Sequence, residues 1–411
     1  MSLIFNKTFR HVIAWLFFGI AVSCQARTAD AVNGASVAPR TEETAEVRVG
    51  AARTDLYLDS LKGKRIALLS NHTGMVGDEH TLDLMLRNGL NVTTIFSPEH
   101  GFRGTADAGE HVKSSVDKAT GIPIASLYEG KTRMPSPATM DKFDVIVTDL
   151  QDVGLRFYTY YISMMDLMNA AAKYGKEFMV FDRPNPNGMT VDGPVLDMKY
   201  SSGVGRIPVP AVHGMTMGEL AQMIVGEGWL KNGAKIDLSV IPVENYTHRT
   251  RYTLPVAPSP NLPDMKAIYL YPSTCLFEGT PVSLGRGTDM PFQVYGHPAI
   301  KDTGFSFTPV SRPGAKNPPL LGKKCYGVDL RGLPDDSIIA RGMDPQYVID
   351  AYNKMGRPEG FFTRFFNLLA GSDELQRQII EGMSAEKIKQ SWQPGIEAFR
   401  KQRAPYLIYP E

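Results

Sequence analysis

The chain reads as an α/β protein: a doubly wound parallel sheet followed by a smaller, mixed α+β part. Three observations predict this. Short apolar runs alternate with helically spaced segments from about residue 50 to 235, as strands buried on both faces and joined by helical crossovers do. A Pro-rich passage, Leu254 to Pro263, then breaks the alternation, and such stiff, extended backbone often connects domains. At 411 residues the chain also exceeds what one hydrophobic core usually serves. Domains are therefore expected at 49–250 and 251–411.

The elements follow in order. Arg65–Ser70 is a first strand, and Thr81–Asn88 carries the apolar spacing of a helix. Asn91–Phe96 is a second strand, Ile122–Tyr128 a short apolar stretch, and Asp144–Asp149 the strongest strand. Tyr161–Tyr174 has helical periodicity with many Met and Ala, and Glu177–Phe181 is a further strand. Ala267–Val294 reads as a short strand mixed with Gly-rich turns. Helical segments then fill Gln346–Met355, Gly360–Leu369, Ser372–Gly382 and Ser384–Gln402, with Ser384 as a cap.

Composition narrows the function. With 44 basic and 43 acidic residues the formal charge is +1, so neither nucleic acid nor an electrostatically held membrane is an expected partner. The first strand runs into Ser70-Asn71-His72-Thr73-Gly74-Met75 rather than a Gly-x-Gly-x-x-Gly turn, and no Walker A motif occurs. The sheet is Rossmann-like, yet no nucleotide cofactor is expected. There is no Cys-x-x-Cys, His-Glu-x-x-His or His-x-x-Glu-His, so no metal is expected either. Cys275 and Cys325 are the cysteines left after residue 24, and their spacing does not decide whether they pair.

Residues 1–26 read as a secretory signal: Lys7, Arg10 and His11 precede an apolar run from Val12 to Val22. Ala21-Val22-Ser23-Cys24 resembles a relaxed lipobox, which would leave Cys24 lipidated; cleavage near Ala26 is the competing reading. Both make the protein exported, either periplasmic or anchored to the membrane. Residues 27–48, rich in Ala, Thr and Glu, read as a tether.

Polar residues cluster after the strands. Asn71 and His72 follow the first, and Glu99, His100 and Arg103 follow the second. Asp149, Gln151, Asp152, Arg156 and Tyr158 follow the strand ending at Asp149, and Asp182, Arg183 and Asn185 follow Phe181. In a parallel sheet all these loops leave one edge, where ligand crevices form. The second part adds Glu278 and Arg286 in Gly-rich surroundings. Plainer readings exist: Glu99 and Arg103 as a salt-bridged turn, Asp149 or Asp152 as a helix cap, Asp182 to Asn185 as a turn, His213 as structural.

Carboxylates, arginines, amides and aromatics without a phosphate loop suit a carbohydrate. Hydrolysis of a glycoside needs a carboxylic acid to protonate the leaving oxygen and a second group as base or nucleophile. Glu99 is the best acid; Asp152, Asp149 and Glu278 compete for the second role. A metal-dependent amidase or deacetylase using His72, His100, Asp149 or His213, and a non-catalytic lipoprotein that binds wall fragments, are the alternatives.

Seven blocks in order carry a resemblance. They are Ser70–Gly74, Ser97–Gly104, Asp149–Gly154, Arg156–Tyr160, Asp182–Pro186, Ser259–Pro263, and Phe277–Thr280 with Gly285–Thr288. Together they resemble the NamZ family of exo-β-N-acetylmuramidases over about residues 50–411. The resemblance implies release of N-acetylmuramic acid from the non-reducing ends of peptidoglycan fragments. It also implies an active site in a cleft between the two domains, and Glu99 as the acid. Asp152 is held as the second group, and Arg103, Arg156 and Arg286 would suit the lactyl carboxylate of muramic acid.

Overall fold

The computed structural model describes residues 46–98, 102, 115–127, 134–301 and 303–411. The expected signal segment, Cys24 and nearly all of the tether therefore lie outside the described residues, as do Glu99, His100 and Arg103.

A seven-stranded sheet organises the molecule. Its strands are β1 (Arg65–Ser70), β2 (Asn91–Ser97), β3 (Ser115–Val116), β4 (Pro123–Ser126), β5 (Val145–Asp149), β6 (Glu177–Phe181) and β7 (Leu238–Ile241). Their spatial order is β7-β6-β5-β1-β2-β4-β3. All neighbours run parallel except β3, which pairs antiparallel with β4. The central strands β1, β5 and β6 are almost wholly buried, because both faces of the sheet are covered there. Ala67, Leu69, Ile146, Phe178 and Val180 face one core, while Ile66, Leu68, Val145, Val147, Met179 and Phe181 face the other. The period-two alternation of a strand thus divides each hydrophobic run between two layers.

Helices α1 (Thr81–Arg87), α2 (Tyr160–Tyr174) and α3 (Met217–Gly226) accompany the sheet. The imidazole of His80 caps α1, with Nδ1 accepting from the Leu82 N–H at 3.1 Å and Nε2 bonded to the Asn71 carbonyl at 2.8 Å. A capping box between Thr216 and Glu219 starts α3.

The smaller part differs from expectation at its beginning. Met265–Thr274 is a helix, α4, rather than a short strand. Asp264 caps it by accepting from the Ala267 N–H at 2.8 Å, and its aromatic and aliphatic side chains are buried on several sides. A strand-like apolar run is ambiguous where burial is this complete. Beyond it come a three-stranded antiparallel sheet (Val294–His297, Ser306–Phe307, Cys325–Asp329) and the C-terminal helices, of which Ala385–Arg403 is the longest. One core cluster runs from the sheet through Phe157 and Tyr271 to Phe277, Phe366 and Trp392. Cys275 and Cys325 are both buried and unbridged.

Candidate functional site

The order of the sheet marks where a crevice belongs. β1 and β5 are neighbours, yet the chain leaves β1 toward β2 and leaves β5 toward β6 on the opposite side. Ligands bind outside the carboxyl ends of the strands at such a switch point. Ser70 stands opposite Asp149 in the register, so the loops beginning at Asn71 and Leu150 rise side by side.

These loops are bound into one polar network. Buried Asp149 accepts from Arg183 Nε at 2.5 Å and Nη2 at 2.9 Å, and from Thr81 Oγ1 at 2.5 Å. Asn71 Oδ1 accepts from Thr73 N (3.0 Å) and Oγ1 (2.6 Å), while its amide donates to the Tyr160 hydroxyl (2.9 Å). Thr73 Oγ1 accepts from the Gln151 N–H, and the Gln151 side chain donates to the Asp152 and Pro184 carbonyls at 2.8 and 2.7 Å. Every one of these groups is buried, so the network satisfies donors and acceptors that water cannot reach. The Pro-rich passage is drawn onto the same edge. His72 Nε2 bonds the Ala257 carbonyl at 2.9 Å, and the Tyr158 and Tyr160 hydroxyls donate to the Pro258 carbonyl at 2.8 and 3.1 Å.

Two adjoining cavities open beside the passage. The smaller, about 190 Å³, is walled by Tyr158, Tyr160, Asn261, Tyr271 and Phe292; the larger is about 420 Å³. Glu278, Arg286 and Phe365 line both. Arg286 donates to Glu278 Oε1 through Nε at 2.9 Å and Nη2 at 2.5 Å, and its guanidinium lies 4.9 Å from the Phe292 ring centroid. Nη1 makes no hydrogen bond to a described residue. A carboxylate, a stacked guanidinium and tyrosine faces along one wall suit a polyol that carries an anionic group.

Asp152 stands behind this wall and lines neither cavity. Its Oδ2 accepts from the Gly154 N–H at 2.7 Å, while Oδ1 is buried with no partner. Burial pushes its carboxyl up to about 7.

Three expected ligand contacts have internal partners instead. Arg156 is fully buried; Nη1 donates to the Pro194 and Val209 carbonyls and Nη2 to those of Leu369 and Ala370, all at 2.7–2.9 Å. It ties the sheet to the C-terminal helices, and no terminal nitrogen is left for a substrate carboxylate. Asp182 accepts from Thr216 Oγ1, Gly218 N and the Tyr409 hydroxyl at 2.6–2.8 Å, and burial raises its carboxyl to about 6. Asn185 donates to the Met215 carbonyl and accepts from the Asn187 N–H, holding its own turn. His213 is buried and held near 3 by desolvation, hence neutral. Among the described residues no three His, Cys, Asp or Glu side chains gather as metal ligands would. Of the second strand's loop, Phe102 is described: it is buried edge-on to His80, ring centroids 5.1 Å apart.

Tyr271 and Phe365 were not legible as site residues. Each sits in a segment whose apolar pattern signals core; Tyr271 is set against Phe157 and Tyr158 of the loop after β5, and Phe365 comes from the separate helix Arg364–Ala370.

Comparison with known proteins bears on this arrangement. The family models for the N- and C-terminal parts of exo-β-N-acetylmuramidase NamZ match residues 66–266 and 269–409. The peptidoglycan β-N-acetylmuramidase NamZ of Bacillus subtilis (strain 168) is 39% identical over 377 residues, covering 86% of this chain and 89% of that protein. A DUF1343 family protein from Bacteroides fragilis NCTC 9343 has a crystal structure that superposes with a TM-score of 0.84. It is 56% identical, covering 89% of this chain and 99% of that one. A second DUF1343 protein of the same organism gives 0.74 at 26% identity, covering 88% and 99%. The chain belongs to the NamZ exo-β-N-acetylmuramidase family and is a glycosidase.

Proposed function

We propose that this chain releases non-reducing terminal N-acetylmuramic acid from peptidoglycan fragments, with Glu99 as the general acid, and that it acts after export. The observation that carries the reading is the cavity wall at the carboxyl edge of the sheet, where Glu278, Arg286, Tyr158, Tyr160 and Tyr271 meet. Such a wall offers stacking faces to a pyranose and charged groups to its substituents. The Nη1 of Arg286 would receive the lactyl carboxylate, whereas both terminal nitrogens of the buried Arg156 are taken by backbone carbonyls.

In this reading Glu99 gives its proton to the bridging oxygen as that oxygen's bond to the anomeric carbon breaks. Water supplies the hydroxyl that replaces it, and the water's proton returns to a carboxylate of the site. Of the carboxylates weighed for the second role, Asp149 is committed to Arg183, and Asp152 stands one layer back. Glu278 faces the cavities and is the carboxylate that touches substrate.

A chromogenic β-glycoside of N-acetylmuramic acid and the disaccharide N-acetylmuramyl-N-acetylglucosamine test the reading. The protein releases muramic acid from both, and Glu99→Gln lowers kcat on the disaccharide by about a hundredfold or more without changing the melting temperature. Substantial residual turnover in that variant overturns the role of Glu99. Binding of the disaccharide without turnover by the unaltered protein overturns the enzymatic reading.

A further inference from the structure

We infer that the larger cavity is a second sugar subsite, the receptor for the anionic glycan on the leaving side of the cleaved bond. This rests on the muramidase reading above. The two cavities share Glu278, Arg286 and Phe365, so they adjoin at these three side chains. Apolar faces from Val282, Pro319 and Phe365 stand there beside Thr280, Lys316 and Asn317. This mixture suits a pyranose, which has apolar faces and a polar rim.

The far wall, the turn from Arg312 to Pro319, is held in place. Asn261 donates to the Gly314 carbonyl at 2.8 Å, and the Val310 N–H donates to the Gly287 carbonyl at 2.9 Å. Gly314 and Gly287 both have φ of +79°, and a Cβ on either would come within 2.5 Å of a proline, Pro260 or Pro318 respectively. Close backbone approach of this kind builds a rigid wall before any ligand arrives.

Charge identifies the ligand. The lobe carrying this turn exposes Lys301, Arg312, Lys316, Lys323 and Lys324, while Asp302 is the one acidic residue in the sequence 301–324. The chain as a whole is balanced at 44 basic to 43 acidic residues. A glycan alternating N-acetylglucosamine with muramic acid carries a carboxylate on every second sugar beyond the cleaved bond. The lobe is complementary to that polymer and indifferent to a small neutral leaving group.

The test compares leaving groups on the same terminal sugar: the chromogenic glycoside, the disaccharide, and a tetrasaccharide carrying a second muramic acid. In Lys316→Gln/Asn317→Ala, the ratio of kcat/KM for the tetrasaccharide to that for the chromogenic glycoside falls about tenfold. Added N-acetylglucosaminyl-N-acetylmuramic acid, the first two sugars of the tetrasaccharide's leaving side, inhibits hydrolysis of the chromogenic glycoside by the unaltered protein and inhibits the variant more weakly. Added salt raises KM for the tetrasaccharide more than for the chromogenic glycoside. An unchanged ratio together with unchanged product inhibition overturns the proposal. Failure of the unaltered protein to cleave the chromogenic glycoside instead overturns the muramidase reading on which it stands.

Discussion

Two carboxylate–arginine pairs of nearly equal length sit at opposite ends of the candidate site. Asp149 and Arg183 approach to 2.5 Å with side chains 0% and 2% exposed; Glu278 and Arg286 also approach to 2.5 Å but remain 24% and 20% exposed. The first pair lies beneath the loops, where Thr81 and the Met75 carbonyl complete its hydrogen bonds and no ligand can enter. The second lies on the cavity wall, with the arginine Nη1 hydrogen-bonded to no described residue. The same chemistry therefore serves the scaffold in one place and faces a cavity in the other. What separates them is access to solvent.

Breaking each pair should separate stability from activity. Asp149→Ala leaves a buried guanidinium without its counter-charge and should cost about 3–5 kcal/mol, read as a drop in the urea midpoint. Glu278→Gln should cost about 1 kcal/mol or less, because water reaches the remaining arginine, while muramic acid release falls sharply. Equal losses of stability would erase the distinction.

Arg156 sharpens the same contrast. Arg156→Met strands four buried carbonyls and should lower stability by about 3 kcal/mol. Its KM for substrate at a permissive temperature should stay near that of the unaltered protein, whereas a raised KM would return Arg156 to the ligand.

Asp152 supplies the next test through pH. Burial pushes its folded carboxyl up to about 7 from an ordinary value of 3.8, so the folded state binds the proton more tightly between those values. This group's contribution to stability is then greatest below about pH 4, declines as pH rises toward 7, and is flat above. Asp152→Asn should remove that decline, on the order of 1–3 kcal/mol in the difference between pH 4 and pH 8. A stability profile identical to the unaltered protein's would show that the carboxyl is not held protonated.

The smallest effect expected is that of Tyr158→Phe, which removes one hydrogen bond to the Pro258 carbonyl. About 1 kcal/mol of stability should go with it, measured by thermal melting.

Much of the scaffold was legible in the sequence. Arg65–Ser70 and Glu177–Phe181 are strands over the expected bounds, and α2 begins one residue before its expected start. Both faces of these strands are buried, so continuous apolar runs reported them directly. The edge strand Leu238–Ile241, half-exposed and interrupted by Ser239, gave no such signal. The helix at Met265–Thr274 was hidden because its residues are buried nearly all round, which erases the 3.6-residue periodicity.

The site divides along the same line. Residue types and their position after strands placed Asn71, Asp149, Gln151 and Arg183 at one edge, because parallel topology sends every such loop to the same side. Local pattern cannot say whether a polar side chain there faces inward or outward. Arg156 and Glu278 were therefore indistinguishable as ligand contacts until burial and partners separated them. The central strands, the edge their polar loops share and the family blocks could be read from the chain alone, since hydrophobic periodicity and loop chemistry are local. Tertiary structure alone decided which carboxylate–arginine pair faces a cavity. That depends on contacts between residues more than a hundred positions apart, such as Tyr158 with Tyr271, whose rings meet edge to face.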